Sequence, residues 1–294
     1  MRRDAFYSLH PAVSFAFFLA VTLITAFVLH PAVTGISLVC SVAYAAFLKR
    51  EKAERLLLLL PFIAVVAALN PLFNHAGVTP LFYLWNGNAV TLEAVWYGVV
   101  SACMFAALIL WCSCLNSVMS SDKYVCLFGG IIPSLSLTFS MVLRFLPRFL
   151  KRIRDVNDAQ SCAEERFGKS PVKAVKRGLS VISVTVTWAL ESAVTTADSM
   201  KSRGYGLRGR TSYSIYRFTR RDALLSFLLA VSFALSVVSM AAKDVWFRFY
   251  PSIKYSEVGP MTVIGLAAFT VLCALPLLLN IKEGLTWRAL ISRI

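Results

Sequence analysis

Seven stretches of this chain hold no charged side chain at all: residues 11–29, 31–48, 56–73, 94–119, 124–143, 223–242 and 258–281. Each is close to the ~20 residues that carry a helix across the hydrocarbon of a bilayer. Acids are scarce throughout, 15 Asp and Glu against 30 Lys and Arg, and histidine occurs only three times. Because no window contains a carboxylate or a base, the chain lacks the intramembrane groups on which proton- and ion-coupled carriers run. His10, His30 and His75 are dispersed, and Cys112 and Cys114 have neither zinc nor thioredoxin spacing, so no metal centre is expected. Most of the seven cysteines lie in apolar windows, where thiols act as small hydrophobes. No Ser/His/acid constellation, P-loop or dinucleotide fingerprint is present, which leaves an enzyme and a bound cofactor without support. No internal repeat points to an inverted-repeat transporter.

What the chain does have is hydrophobicity, with a mean hydropathy of +0.69, and a basic excess confined to particular segments. On a soluble protein that excess would point to nucleic acid. On this one it is the Lys and Arg bias of cytoplasmic loops. Residues 49–55 are net +2, and residues 144–222 carry seventeen Lys and Arg against seven Asp and Glu. By contrast, 74–93 holds only Glu93 and His75. If all seven windows crossed, the strongly basic segment would face outward. Parity is restored if 124–143, which contains Gly129, Gly130 and Pro133, does not cross. The expected architecture is therefore an all-α integral membrane protein with about six transmembrane helices and both termini cytoplasmic. It divides into a four-span region (1–123), a cytoplasmic pair of helices (124–222) and a C-terminal membrane pair (223–294). Tyr83, Trp85, Trp96 and Tyr97, and then Trp246, Phe247, Phe249 and Tyr250, suit the outer boundary. The N-terminus is basic and then apolar, but it lacks a small-residue cleavage site and reads as a retained span.

Two helices are legible in the basic segment. Over 148–165, Phe149, Ile153, Val156, Gln160 and Ala163 keep helical spacing, broken only by Gln160, and Pro147 marks a bend at the start. Lys151–Asp155 and Arg154–Asp158 are spaced for pairing on the wet side. The second helix is predicted over 171–203. Ser170 caps it, Pro171 occupies its first position, and Gly204 stops it. Val172, Val175, Leu179, Ile182, Val186, Ala189, Ala193, Ala197 and Met200 form its apolar face. The small residues Ala189, Ser192, Ala193, Thr196 and Ala197 suit a close helix crossing. Arg203 then stands at the end of a rod about 50 Å long, where a cation complements the helix dipole.

Four stretches carry a family likeness: "NPLFNHAGVTPLFY" (70–83), "LRFLPRFLKRIRDVNDAQ" (143–160), "TTADSMKSRGYGLRGRTSY" (195–213) and, more weakly, the "HPAV" at residues 10 and 30. Together they resemble the transmembrane T component of energy-coupling factor (ECF) transporters, the family of the cobalt-type permease subunit. The likeness runs from about residue 8 to about 242. It implies a subunit that joins two cytoplasmic ABC-type ATPase subunits to a substrate-binding membrane S subunit for uptake of a vitamin or metal ion. The subunit itself would be non-catalytic, with the lipid bilayer as its other neighbour and no nucleic acid partner.

In that family, crossed coupling helices end in arginine signatures that dock into grooves on the ATPases. The resemblance carries the second signature onto Ser202, Arg203 and Gly204. The first signature departs from the pattern. Cys162, Ala163 and Glu164 stand where an Ala-Arg-Gly triplet is usual, and the nearest arginine, Arg166, falls three positions late. The rival readings are a standalone secondary carrier or channel for a cation, which the charge-free windows oppose, and an intramembrane enzyme, for which the windows offer only Ser, Thr and Cys.

Overall fold

The computed structural model describes residues 6–48, 53–75, 77–83, 89–129, 133–164, 171–205, 216, 218–241, 247–255 and 259–291. In chain order the elements are α1 (Pro11–Phe27), α2 (Pro31–Leu48), α3 (Ala53–Phe73), β1 (Pro80–Tyr83), β2 (Ala89–Thr91), α4 (Leu92–Val118), α5 (Ser121–Gly129), α6 (Pro133–Glu164), α7 (Pro171–Ser202), α8 (Arg220–Ala241), β3 (Phe247–Arg248), β4 (Lys254–Tyr255) and α9 (Pro260–Ile291). The chain divides into two compact units. One is Met1–Ser120 with Tyr216–Ile294, and the other is Ser121–Ile215.

Helix starts in the first unit follow from local sequence. Each "HPAV" begins a helix: the His10 Nδ1 accepts from the Ala12 N–H (3.3 Å) and the His30 Nδ1 from the Ala32 N–H (3.1 Å). Proline follows at the first helical position, where its missing N–H costs nothing. Thr91 caps α4 by accepting from the Ala94 N–H. Thr219 and Asp222 form a reciprocal box at the start of α8, with the Thr219 N–H donating to Asp222 (2.9 Å) and the Asp222 N–H to the Thr219 hydroxyl (3.4 Å).

The core of this unit gathers around Trp111 on α4, which is fully buried. Phe17 and Phe18 of α1 meet its ring edge-on at 5.8 and 6.1 Å, and Tyr44 of α2 lies tilted at 6.3 Å. Offset and edge-on arrangements suit the ring quadrupoles. The indole N–H donates to the Ser37 hydroxyl (3.0 Å), which lies 2.9 Å from the Thr25 hydroxyl, so three buried polar groups satisfy one another. Phe269, Leu272 and Cys273 of α9 complete the cluster. Next to it, α3 lies close against α4 because Gly98 has no side chain. A Cβ there would sit 2.7 Å from the Ala67 carbonyl oxygen.

Contacts at the ends of the helices show their alternating directions. At one end the Asn74 amide donates to the Tyr250 hydroxyl (2.9 Å), while Tyr97 touches both Phe249 and Tyr250. Glu93, buried there, accepts from the Thr79 hydroxyl at 2.8 Å. At the other end the His10 N–H donates to Asp222 (3.2 Å), and Arg221 pairs with Glu283 of α9 (2.7 Å). The starts of α1 and α8, and the last third of α9, therefore share one end of the unit.

Several sequence expectations change. The window 124–143 is not one helix. Its first part lies in α5, which stops at Gly129, and its second part belongs to α6, which starts at Pro133. The predicted bend at Pro147 does not start a new helix, since α6 runs through it from Pro133 to Glu164. Proline removes one backbone hydrogen bond, and a 32-residue helix packed along a partner tolerates that loss. Two short antiparallel ribbons, β1–β2 and β3–β4, were not foreseen.

Candidate functional site

The second unit is built on a helical hairpin. Along α6 and α7 the contacts run in opposite directions: Ser161 with Arg177 (3.4 Å), Gln160 with Ser180 (2.8 Å), and Phe149 with Trp188 (ring centroids 5.5 Å). Arg152 lies over the Trp188 ring at 5.6 Å, a cation–π contact that also covers the indole. The two helices thus lie side by side over several turns rather than meeting at one crossing point. Gln160, which interrupts the apolar pattern of α6, belongs to the seam and bonds across it.

This register corrects two readings. Val181 and Thr185 are buried in the seam, and Ser192 and Thr196 are half-buried, whereas Ala193 and Ala197 are exposed. The small-residue face of α7 is therefore split, because Ser192 and Ala193, like Thr196 and Ala197, are neighbours about 100° apart around the helix. Lys151–Asp155 and Arg154–Asp158 form no ion pair among the described residues. Exposed pairs of this kind gain little over hydration.

The other apolar residues form exposed stripes: Phe139, Val142, Leu146, Leu150 and Ile153 on α6, and Val175, Leu179, Ile182, Val186, Leu190 and Val194 on α7. Counted at about 100° per residue from the seam, both stripes turn to the same side of the hairpin.

At the end of α7 the backbone explains how Arg203 is presented. The Tyr205 N–H donates to the Met200 carbonyl (3.0 Å) and the Gly204 N–H to the Lys201 carbonyl (3.0 Å). Gly204 has φ +76°, the left-handed conformation that glycine adopts without steric cost. These are the paired bonds of a Schellman cap. They satisfy the Met200 and Lys201 carbonyls and fix Arg203 as the C-cap residue. The Ser202 hydroxyl is turned back to the Ser199 carbonyl (2.9 Å), so it shapes the helix end rather than reaching outward.

Arg203 lines a groove of about 370 Å³ together with Arg144, Phe145 and Met141 of α6 and Thr195, Thr196, Ser199 and Met200 of α7. Thr195 and Thr196 donate to carbonyls of their own helix, at Glu191 and Ser192. Neither arginine side chain has a hydrogen bond or ion pair among the described residues. Arg144 stands far from Arg203 in sequence. The antiparallel register of the hairpin, once set by the seam, is the signal that brings it beside α7. Arg166 lies outside the described residues, as do Arg208 and Arg210. Among the described residues no cluster of His, Cys, Asp or Glu is arranged to hold a metal ion.

The fold defines a multi-span helical membrane protein. Among the described residues, five helical segments are long and apolar enough to cross a bilayer: Pro31–Leu48, Leu92–Val118, Val175–Ser202, Arg220–Ala241 and Pro260–Trp287. Pro11–Phe27 and Leu60–Phe73 are shorter apolar helices. No family model matches the chain, and no curated protein matches it. The likeness to the T component therefore stands on the quoted stretches alone.

Proposed function

We propose that the chain is the transmembrane coupling subunit of an ATP-driven, ECF-type uptake transporter. In this reading the α6–α7 hairpin meets two ABC-type ATPase subunits, and the membrane helices accompany an S subunit that binds a vitamin or a metal ion. The observation that carries it is a basic helical hairpin inserted between α4 and α8 of an apolar helical unit, with an arginine held at a capped helix end. The chain itself carries out no chemistry, and ATP is hydrolysed by its partners.

Six crossings, by α1, α2, α3, α4, α8 and α9, put both termini and the basic hairpin on the cytoplasmic side. The 17 residues of α1 rise about 26 Å, close to the hydrocarbon thickness of the thinner bilayers. Val175–Ser202 is apolar enough to compete as a span, but Glu191 lies within it and its apolar side chains form a stripe rather than a full surround. A carboxylate amid lipid is costly, which favours α7 lying outside the hydrocarbon. Single cysteines at positions 122 and 213, on a cysteine-free background, test this: impermeant reagent is expected to reach neither in intact cells, and labelling of either overturns the topology.

The functional test is Arg203→Ala. A guanidinium gives several hydrogen bonds in a fixed fork, and losing charge-assisted bonds costs about 1.5–3 kcal/mol. ATPase recovery on the tagged subunit is expected to fall roughly ten- to hundredfold, with uptake falling in parallel. Lysine restores the charge without the fork, so Arg203→Lys is expected to recover only part of both. Unchanged recovery and uptake for Arg203→Ala would leave this arginine a surface charge.

A further inference from the structure

We infer that Arg144 and Arg203 together form a two-guanidinium receptor for one carboxylate, supplied by an Asp or Glu of the docked ATPase. This rests on the proposed docking of the α7 end and adds to it a second residue and the chemistry of the partner. The two arginines come from different helices, fifty-nine residues apart in sequence, and line one groove. No acid lines that groove, and neither guanidinium has a partner among the described residues. Like charges gathered without a counter-charge raise the local potential and favour an arriving anion.

The remaining lining sets the shape of that anion. Met141, Phe145 and Met200 supply apolar wall, and Thr195 and Thr196 already donate to their own backbone. The donors left to face a ligand are the two guanidinium forks and the Ser199 hydroxyl. Planar forks match a carboxylate edge to edge. About 370 Å³ lies at the small end of the roughly 300–1,000 Å³ of ligand sites, enough for a carboxylate with the apolar stem that bears it. The Schellman cap lowers an obstacle, because the Met200 and Lys201 carbonyls are bonded and do not present bare negative dipoles to the incoming acid.

The experiment uses full-length protein purified with its ABC ATPases, carrying Arg144→Lys or Arg203→Lys. A water-soluble carbodiimide joins a lysine amine to a carboxylate in contact with it. Both variants are expected to couple to the same Asp or Glu of a protein that carries a P-loop sequence, read by peptide mass spectrometry. Arg144→Gln is expected to weaken ATPase recovery roughly tenfold. Combined with Arg203→Ala, it is expected to cost less than the two single losses multiplied, because both arginines hold one group. Coupling from position 203 alone, with unchanged recovery for Arg144→Gln, overturns the shared receptor and leaves docking intact. Unchanged recovery for both Arg144→Gln and Arg203→Ala overturns the docking reading itself. If these two variants instead lose co-purified phosphatidylglycerol, counted by mass spectrometry, while keeping their ATPases, the anion is a lipid phosphate and the carboxylate assignment falls.

Discussion

Trp111 and Trp188 show how differently the two units use a large aromatic. Trp111 is fully buried among helices α1, α2 and α4, with its N–H satisfied by Ser37. Trp188 is half-buried in a seam between only two helices, with an arginine over one face. The same contrast holds across the units. In the first, Phe17, Phe18, Val21, Val33 and Phe269 are all within 1% of complete burial. In the second, six large apolar residues of the α7 stripe each expose 50% or more of their surface. The first unit builds a fully buried core from several helices at once, although its helices also expose large apolar side chains such as Phe27, Phe73 and Phe227. The second has no such core around Trp188, and one face of its hairpin is an uncovered apolar stripe.

The sharpest way to break that comparison is Trp111→Ala. Removing a fully buried Trp typically costs about 3–5 kcal/mol, from lost contacts and the cavity left behind. Here the Ser37–Thr25 pair also loses its donor. Detergent-solubilised protein is expected to unfold at markedly lower temperature and to insert poorly. If Trp111→Ala cost no more than Trp188→Ala, the two units would not differ in packing as described.

A smaller effect is expected at Gly204. Its φ of +76° costs a residue bearing a Cβ roughly 1–2 kcal/mol. Gly204→Ala is therefore expected to fray the last turn of α7 and to lower ATPase recovery several-fold while leaving the first unit untouched. Gly204→Asn should cost less, since Asn visits this conformation more readily. Faster hydrogen exchange at Gly204 and Tyr205 is the direct measure. Unaltered exchange would mean the cap does not hold Arg203.

Which of these features were visible beforehand follows from the range of the interactions. Local chemistry was legible: Pro171 begins α7 and Gly204 ends it with positive φ, because caps act within a turn. The charge-free windows likewise located the long apolar helices of the first unit. Long-range choices were not legible. Periodicity gave one apolar face for α7, and only the register against α6 decides that Val181 and Thr185 are buried while Ala193 is not. The meeting of Arg144 with Arg203 has the same origin. Arg203 stands out in sequence by its signature and helix end, but nothing in sequence links Arg144 to it, and the antiparallel seam joins them.

Ala193→Trp is where the smallest effect is expected, and it separates the two faces of α7 most finely. Read from the sequence as part of a close crossing, this position should not tolerate a large side chain, because overpacking costs about 1–3 kcal/mol. In the structure Ala193 is exposed beside Val194 and Leu190, on the uncovered stripe rather than in the seam. The hairpin itself is therefore expected to lose no more than about 0.5 kcal/mol, the range of ordinary surface changes. The comparison is Thr185→Trp, about three turns along α7 from the groove and 8% exposed, where the same bulk must displace α6. Limited proteolysis of the α6–α7 segment reads both variants: Thr185→Trp is expected to be cut readily and Ala193→Trp to resist like the unmodified chain. If Ala193→Trp keeps its hairpin yet loses uptake, the exposed stripe is a contact surface in the working assembly. Equal protease sensitivity of the two variants would return Ala193 to the seam and undo the division of α7 into a covered and an uncovered face.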